Sequence, residues 1–248
     1  MKRMLAVLSI VLLTSILILG CDGGHEVSDG PLNRTHITED TVVLNGIVAM
    51  DEPLQGVVQA INTRGETSDA VIAGADGRFT LDIPNYPPFM LRIIPRNQGI
   101  ELFSFAPSAG HVNLTPLTHL AMYVAVGTEV DLETLFHEWD GSQLSPEEVQ
   151  MAAAMVSANL APLLDKQGLD HHTYDFFRTD FKTDGTGMDA VLDSMRIHID
   201  AAAETLSGSV RILDPSGRQL STFDAAIPPV TNTAASPATG QKQGDKSQ

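Results

Sequence analysis

The sequence contains one cysteine and one tryptophan in 248 residues. A single cysteine excludes an intramolecular disulfide, so the fold has to be held by packing and hydrogen bonds. Aromatic residues make up 5% of the chain, and we therefore expect a core built mainly of Val, Ile, Leu, Met and Ala. Basic residues are also scarce, since 15 Lys and Arg face 31 Asp and Glu, for a formal net charge of −16. That charge disfavours nucleic acid and anionic lipid surfaces as partners, because their phosphates repel it.

The sequence motifs of several enzyme classes are missing as well. The chain has no Gly-x-Ser-x-Gly turn, no P-loop and no dinucleotide-binding fingerprint. Ser157 lies in a stretch with helical periodicity and has no histidine base near it in the sequence. We therefore predict that the protein is not an enzyme and that it uses no cofactor and no metal.

The first twenty residues have the order that is typical of a secretory signal peptide. Lys2 and Arg3 precede an almost wholly apolar stretch over residues 4–19, and the small residue Gly20 follows it. A helix that spans a bilayer requires roughly 20 residues, and this stretch is shorter, since as a helix it would be only about 24 Å long. The pattern therefore predicts a signal peptide over residues 1–20 and disfavours an uncleaved transmembrane anchor.

Ile18-Leu19-Gly20-Cys21 resembles the lipobox of bacterial lipoproteins. In that family the cysteine sulfur receives a diacylglyceryl group, signal peptidase cuts before the cysteine, and the new amine is acylated with a fatty acid such as palmitate. The resemblance implies lipidation at Cys21 and a location in the bacterial cell envelope, at the periplasmic face or the cell surface. Asp22 resembles the inner-membrane retention signal of enteric lipoproteins and slightly favours that membrane. An ordinary signal peptide with a stray cysteine is the alternative.

Two segments have compositions that do not favour a packed core. Residues 21–40 are polar and rich in glycine, and we interpret them as a flexible tether between the membrane and the folded part. Residues 225–248 consist largely of Pro, Ala, Thr, Gln and Gly, and we predict a disordered tail there.

Residues 41–110 alternate short apolar stretches of period two with turn signals about every ten residues. Six or seven such strands favour an antiparallel β-sandwich. Three motifs, Gly46-x-Val48, Pro53-Leu54-Gln55-Gly56-Val57 and Asp76-Gly77-Arg78-Phe79-Thr80-Leu81, make the segment similar to the carboxypeptidase-regulatory-like (transthyretin-like) domains. That resemblance implies a module that supports a neighbour or presents a surface, and it implies no activity.

Residues 111–224 change to a helical period and end in a predicted β-hairpin. Thr115-Pro116, Asp131 and Ser145-Pro146-Glu147-Glu148 are helix-start signals, whereas Pro162 should kink or end the third helix. The segment "VNLTPLTHLA", followed later by "DGTGMDAVLD", makes this region similar to an uncharacterised class of bacterial envelope lipoproteins. The expected fold class is thus α+β, an N-terminal antiparallel β-sandwich followed by a mainly helical region closed by a β-hairpin. We expect the two parts to share an interface, because neither looks large enough to bury its apolar face alone.

Three groups of polar residues are candidate sites. Asp180, Asp184 and Asp189 are candidates for calcium ligands, but their spacing does not match the EF-hand pattern. The favoured interpretation is a turn that caps the next helix. An irregular ion site at these three residues is left open. His171 and His172 are adjacent, which is poor spacing for a shared metal, and they predict a polar loop. His119 lies on an otherwise apolar helix, and we expect its side chain to be hydrogen-bonded at an interface.

Three functions are compatible with these patterns. The first is a non-catalytic structural or protein-interaction role in the cell envelope, with the membrane contacted through the lipid on Cys21. The second is the binding of a glycan or a small ligand between the sandwich and the helices, although the low aromatic content argues against sugar stacking. The third and least favoured is a hydrolase that uses acids and histidines of the helical region, such as Asp180, Asp184 and His171.

Overall fold

The structure of the chain is a computed structural model that describes residues 40–97, 99–127, 130–200 and 208–225. The predicted signal peptide, the lipidation site Cys21, nearly all of the tether over 21–40 and nearly all of the tail over 225–248 lie outside the described residues. No helix within the described ranges is both long enough and apolar enough to cross a membrane.

The first part of the described chain consists of strands. They are β1 (Thr41–Ile47), β2 (Gly56–Ile61), β3 (Val71–Ile72), β4 (Arg78–Pro84), β5 (Phe89–Pro95), β6 (Leu102–Ala106) and β7 (Gly110–His111). One sheet has the order β4-β1-β7 and the other has the order β3-β2-β5-β6. All pairs are antiparallel except β1 and β7, which run parallel.

Period-two alternation decides which side chains lie between the two sheets. In β4, Phe79, Leu81 and Ile83 are buried, whereas Arg78 and Asp82 are exposed. The turn before β4 depends on Gly77, whose φ of +77° is a conformation that favours glycine. We call the buried cluster between the sheets the inter-sheet core; it comprises Leu44, Val48, Val58, Ala60, Ala73, Phe79, Leu81, Ile83, Phe89, Leu91, Ile93, Leu102, Ala106, Val112 and Leu114.

Five helices follow, and several begin where the sequence predicted. They are α1 (Pro116–Val126), α2 (Leu132–His137), α3 (Pro146–Asn159), α4 (Ala161–Lys166) and α5 (Gly187–Asp193). Thr115 caps α1, Asp131 caps α2, and Ser145 forms a capping box with Glu148 at the start of α3. Each cap accepts a backbone N–H that the first helical turn leaves without an intrahelical partner. These three predicted helix starts are confirmed.

The end of α3 also follows the prediction. α3 stops at Asn159, Leu160 separates it from α4, and Pro162 lies in the first turn of α4, where its missing N–H does no harm. α2 ends at His137, so Trp139 lies just beyond the helix.

The chain closes with a third sheet of order β10-β9-β8. Its antiparallel strands are β8 (Arg196–Asp200), β9 (Ser209–Leu213) and β10 (Gln219–Asp224). The predicted hairpin is the β9–β10 pair, with Asp214 Oδ1 accepting the backbone N–H groups of Ser216 and Arg218 in its turn. β8 adds a third strand to this hairpin.

α1 and α2 pack on the outer face of the sheet that contains β5 and β6. α1 contacts β6 and α3, and α3 also touches β10. The predicted shared interface is therefore present, and the fold is of the mixed α+β class. We call this second cluster the sheet–helix core; its members include Ile61, Met90, Phe103, Phe105, Leu117, Leu120, Phe136, Trp139, Val156, Leu160, Phe176, Phe177, Phe181, Met188, Leu192, Met195, Val210 and Ile212.

Candidate functional site

A cleft of about 500 Å³ lies between α3 and the loop over residues 171–178. Phe105 and Pro107 at the end of β6 close one side of it. We call it the α3 cleft. Its lining combines apolar and polar side chains, and its volume is within the range of about 300–1,000 Å³ that is usual for ligand sites.

α3 supplies a smooth floor to this cleft, because its lining residues are mostly small. Ala153, Ala154 and Ala158 line the cleft, with Ser157 between them. The lining extends along α3 from Pro146 to Ala158, which is about 18 Å at 1.5 Å per residue. The cleft is therefore elongated along the helix axis.

The opposite wall is a loop that is held in place by two aspartates. Asp170 Oδ1 accepts the backbone N–H of His172 at 3.0 Å. Asp175 Oδ1 accepts the backbone N–H groups of Phe177 at 2.9 Å and Arg178 at 3.2 Å. Phe177 and its neighbour Phe176 are both buried in the sheet–helix core, so the wall has a fixed position.

The adjacent histidines lie on this wall, as part of the polar loop that their spacing predicted. His171 Nδ1 is 2.8 Å from Asp165 Oδ1, and this hydrogen bond is the main cause of a lowered pKa of the Asp165 carboxyl. The rings of His171 and His172 are 3.9 Å apart between centroids. Both residues line the cleft.

Tyr174 and Arg178 complete the polar part of the lining. Burial, with help from the charges of Asp175 and Asp180, raises the pKa of Tyr174 to about 12, so its hydroxyl stays protonated at neutral pH. The Arg178 guanidinium donates to Ser108 Oγ and to the carbonyl of Ala109, each at 3.0 Å. These contacts tie the loop to the turn before β7 and keep a cation at the end of the cleft.

A buried amide joins the same loop to the strand region. Asn113 Nδ2 donates to the carbonyls of Phe176 at 3.1 Å and Thr179 at 2.8 Å. Its Oδ1 lies 2.8 Å from His111 Nε2. The sequence analysis missed this clamp, because nothing along the chain shows that Asn113 meets residues more than sixty positions away.

The three candidate ion-binding aspartates have separate partners. Asp180 Oδ1 forms an ion pair with Arg78 at 3.0 Å. Asp184 Oδ1 accepts from the backbone N–H and hydroxyl of Thr186, and Asp189 Oδ2 accepts the backbone N–H of Gly185 at 2.7 Å. Asp184 and Asp189 thus shape the turn before α5, although Thr186 at the N-cap position makes no side-chain cap. Among the described residues no group of three or more His, Cys, Asp or Glu has the arrangement to hold a metal ion.

His119 is at an interface, as predicted, but its expected hydrogen bond is missing at one nitrogen. Its ring lies 5.9 Å from that of Phe103 on β6. Within the described ranges its buried Nδ1 has no hydrogen-bond partner. Burial lowers the pKa of His119 to about 4, so the ring is neutral at pH 7.

The residues considered for a hydrolase each make contacts elsewhere. His171 pairs with Asp165, Asp180 pairs with Arg78, and Asp184 closes its own turn. The geometry therefore offers the α3 cleft as a surface for binding and does not join these three side chains into one acid–base group.

Comparison with known proteins adds no identification. No family model matches the chain, and neither a curated protein nor a solved structure shows significant similarity to it.

Proposed function

We propose that this protein is a membrane-anchored lipoprotein of the bacterial cell envelope that acts by binding a protein partner and not by catalysis. The anchor is the lipid on Cys21, and the body is a carboxypeptidase-regulatory-like sandwich followed by a helical region that a β-hairpin closes. The α3 cleft receives an extended segment of the partner. The anchor rests on the Leu19-Gly20-Cys21 motif, and the binding role rests on the shape and lining of the cleft.

The elongated cleft is the observation that carries this proposal. A length of about 18 Å along α3 matches an extended peptide of about five residues at roughly 3.3 Å each. The floor of small residues leaves room for side chains of the partner. Tyr174, His172 and Arg178 stand at the cleft with donor groups that suit peptide carbonyls.

The charge of the protein indicates which segments it attracts. Asp175 lines the cleft, Asp170 lies beside it, and the chain carries a formal net charge of −16. A neutral segment flanked by basic residues is favoured, because long-range attraction steers opposite charges together and rejects acidic competitors.

A photo-crosslinking amino acid at Ala154 tests the cleft in the full chain in its native membrane. Ala154 is exposed and lines the cleft, whereas Thr222 is exposed on β10 and serves as the matched control position. We expect crosslinks from Ala154 to one extended segment of one envelope protein, and their loss when Ala158→Trp fills the cleft. Equal crosslinking from both positions, or none from Ala154, contradicts the proposal.

Labelled palmitate tests the anchor separately. We expect wild-type protein to take up the label and to sediment with membranes, and Cys21→Ser to remain unlabelled. Asp22→Ser should keep the label, and it should change the membrane in which the protein is found if Asp22 is a retention signal. A labelled Cys21→Ser variant would disprove lipidation at this cysteine.

A small ligand in the same cleft is the second candidate, because the volume suits one. A thermal-shift screen of the full chain with monosaccharides, oligosaccharides and divalent ions decides between the two. A rise in the melting temperature that Ala158→Trp removes would favour a small ligand, whereas a flat response leaves the peptide as the occupant.

A further inference from the structure

The third sheet has a free strand edge at β8. In the order β10-β9-β8, β9 has a neighbour on each side, whereas β8 pairs with β9 alone among the strands that the structure describes. Consecutive residues of an antiparallel strand direct their backbone N–H and C=O groups to opposite sides. Every second residue of β8 therefore directs these groups towards a side where no described strand lies.

The β9–β10 hairpin shows which residues of β8 form this edge. The carbonyl of Gly208 accepts the backbone N–H of the residue after β10, and the N–H of Asp214 donates across the turn, both at 2.8 Å. The even-numbered residues of β9 therefore bond to β10, and its odd-numbered residues bond to β8. Because odd residues of β9 lie opposite even residues of β8, the N–H and C=O groups of Ile197 and Ile199 point away from β9.

These four backbone groups have no backbone partner within the described part of the chain. A groove of about 430 Å³ lies beside them, and it is lined by Arg196, Ile197, His198 and Ile199 in succession. Successive side chains of a strand point to opposite faces of the sheet, so a space that touches four residues in a row runs along the strand edge. We call this space the β8 groove.

The wall opposite β8 is apolar and comes from the strand region. Met50, Ile100 and Leu102 contribute to it, and the side chain of Ile100 is 71% exposed. Leu102 begins β6, which is the edge strand of the sheet β3-β2-β5-β6. A bound segment in the β8 groove would cover this exposed apolar surface with every second side chain.

Carboxylates surround the end of the groove at which β8 begins. Asp51 lines the groove, and burial together with the negative charges of Asp189, Asp51 and Glu52 raises the pKa of Asp193 nearby. Arg196 pairs with Asp51 at 3.1 Å and offsets only part of this charge. The remaining negative charge favours a Lys or Arg at this end of a bound segment.

We propose that β8 binds an extended segment of another protein as an added β-strand. The segment has aliphatic residues at every second position, which contact the apolar wall, and a Lys or Arg beside Asp51 and Asp193. The free groups of Ile197 and Ile199 repeat at about 6.6 Å, which is the two-residue repeat of another strand. This site is independent of the α3 cleft, since α3 touches β10 at the other edge of the sheet.

A displayed library of random seven-residue peptides, selected on the full chain in lipid nanodiscs, tests this proposal. We expect enriched peptides with alternating aliphatic residues and a Lys or Arg at one end. They should keep their affinity for Ala158→Trp, in which the α3 cleft is filled, and they should slow hydrogen exchange at residues 196–200. A selection that enriches no such peptide, or only peptides that Ala158→Trp no longer binds, overturns the proposal.

A proline in β8 removes one edge donor without touching the ladder to β9. Ile197→Pro deletes an N–H that β9 does not use, and edge strands accept proline at such positions. It should weaken the binding of an enriched peptide about tenfold, whereas Ile197→Val, which keeps the N–H, should stay within about twofold of the wild type. Circular dichroism checks that both variants fold. Equal binding by a folded Ile197→Pro variant contradicts strand addition at β8.

Methylation of the peptide tests the same pairing without any change to the protein. N-methyl groups on the alternate amides that face β8 should abolish binding, whereas N-methyl groups on the other set of amides should leave it nearly unchanged. Equal effects of the two sets would show that the peptide does not bind as a strand. This result does not depend on whether Ile197→Pro folds.

The charge preference and the identity of the occupant have their own controls. Asp193→Asn should weaken the binding of a peptide with a terminal Lys about threefold, whereas the exposed control Asp82→Asn on β4 should not change it. A dimer of the full chain that Ile197→Pro abolishes would make a second copy the occupant and overturn the assignment to another protein. Failure of the Ala154 crosslinks would contradict the partner at the α3 cleft and leave these measurements unaffected.

Discussion

The two hydrophobic cores of this protein differ in both composition and origin. The inter-sheet core is mainly aliphatic, and its aromatic members are Phe79 and Phe89. The sheet–helix core contains Trp139 together with six phenylalanines, Phe103, Phe105, Phe136, Phe176, Phe177 and Phe181. The members of the inter-sheet core lie between residues 44 and 114, whereas those of the sheet–helix core lie between residues 47 and 225.

The difference has a geometric cause. Two facing sheets are separated by about 10 Å with regular side-chain spacing, and Val, Ile and Leu fill that gap well. Short helices on a sheet leave irregular spaces, and large rings from distant segments fill them. The few aromatic residues of the chain are thus concentrated where they join the helical region to the strands.

The largest expected effect is from truncating the centre of the sheet–helix core. Trp139 is 1% exposed, its ring meets that of Phe105 edge-on at 6.2 Å, and its Nε1 donates to the carbonyl of Pro88. Trp139→Ala should lower the free energy of unfolding by about 4 kcal/mol, because it leaves a large cavity. Leu81→Ala in the inter-sheet core should lower it by about 3 kcal/mol. Denaturant titration measures both.

The control for this pair is Ile72→Ala on β3, where the side chain is 70% exposed. Its effect should stay within about 0.5 kcal/mol. If Trp139→Ala lowers the free energy of unfolding no more than this control does, the sheet–helix core does not hold the strand region and the helical region together.

The second prediction concerns unfolding by acid. The pKa of His119 falls from 6.5 to about 4 on burial. Between these values the unfolded chain binds a proton that the folded chain does not, so acid favours unfolding. Stability present above pH 6.5 should decrease as the pH falls towards 4, by about 3 kcal/mol in total.

The measurement is the difference in unfolding free energy between the wild type and His119→Phe as a function of pH. Asp51, Arg196 and His198 line one pocket beside His119, and Glu101, Asp131 and Glu133 line a second pocket beside it. All of these groups are present in both proteins, so the difference isolates the histidine. A difference that stays constant from pH 7 to pH 4 would show that His119 is not buried as described.

The third prediction concerns the amide that links the two parts. Asn113→Ala leaves the carbonyls of Phe176 and Thr179 without their donor, and it should lower stability by about 2 kcal/mol. Hydrogen exchange should increase over residues 171–181, a segment that includes the wall of the α3 cleft. Asn97→Ala, at an exposed turn, is the matched control and should have an effect below about 0.5 kcal/mol.

The smallest effect is expected at the floor of the cleft. Ser145 Oγ accepts the backbone N–H of Glu148 at 3.2 Å at the start of α3. Ser145→Ala should lower the free energy of unfolding by about 1 kcal/mol, as is usual for the loss of an N-cap side chain. Ser142→Ala, in the exposed loop just before it, should cost less than about 0.5 kcal/mol in the same denaturant titration. Equal losses of unfolding free energy in the two serine variants would show that the Ser145 cap does not stabilise the protein.

Local signals predicted much of the fold. The caps Thr115, Asp131 and Ser145 act within three residues of themselves, so a short stretch of sequence is enough to recognise them. The alternation around Phe79 likewise shows which side of β4 is buried. The expectation of a core built mainly of Val, Ile, Leu, Met and Ala is correct for both cores, but composition alone does not say that the scarce aromatic rings collect in the sheet–helix core.

The candidate sites were less accessible to sequence reasoning. His171 and His172 were recognised as polar loop residues, but the cleft that they line requires α3 on the opposite side. The missing partner of His119 Nδ1 depends on how the ring packs beside Phe103. Neither feature has a counterpart in residue spacing.

The order of residues along the chain was sufficient for the mixed class, for the starts of α1, α2 and α3 and for the β9–β10 hairpin, because the signals for these elements act between neighbours within a few positions. The tertiary structure alone decided the sheet–helix core, the Asn113 clamp and the α3 cleft. These features arise where segments far apart in the sequence meet, and the free energy of their contacts depends on shapes that exist only in the folded chain.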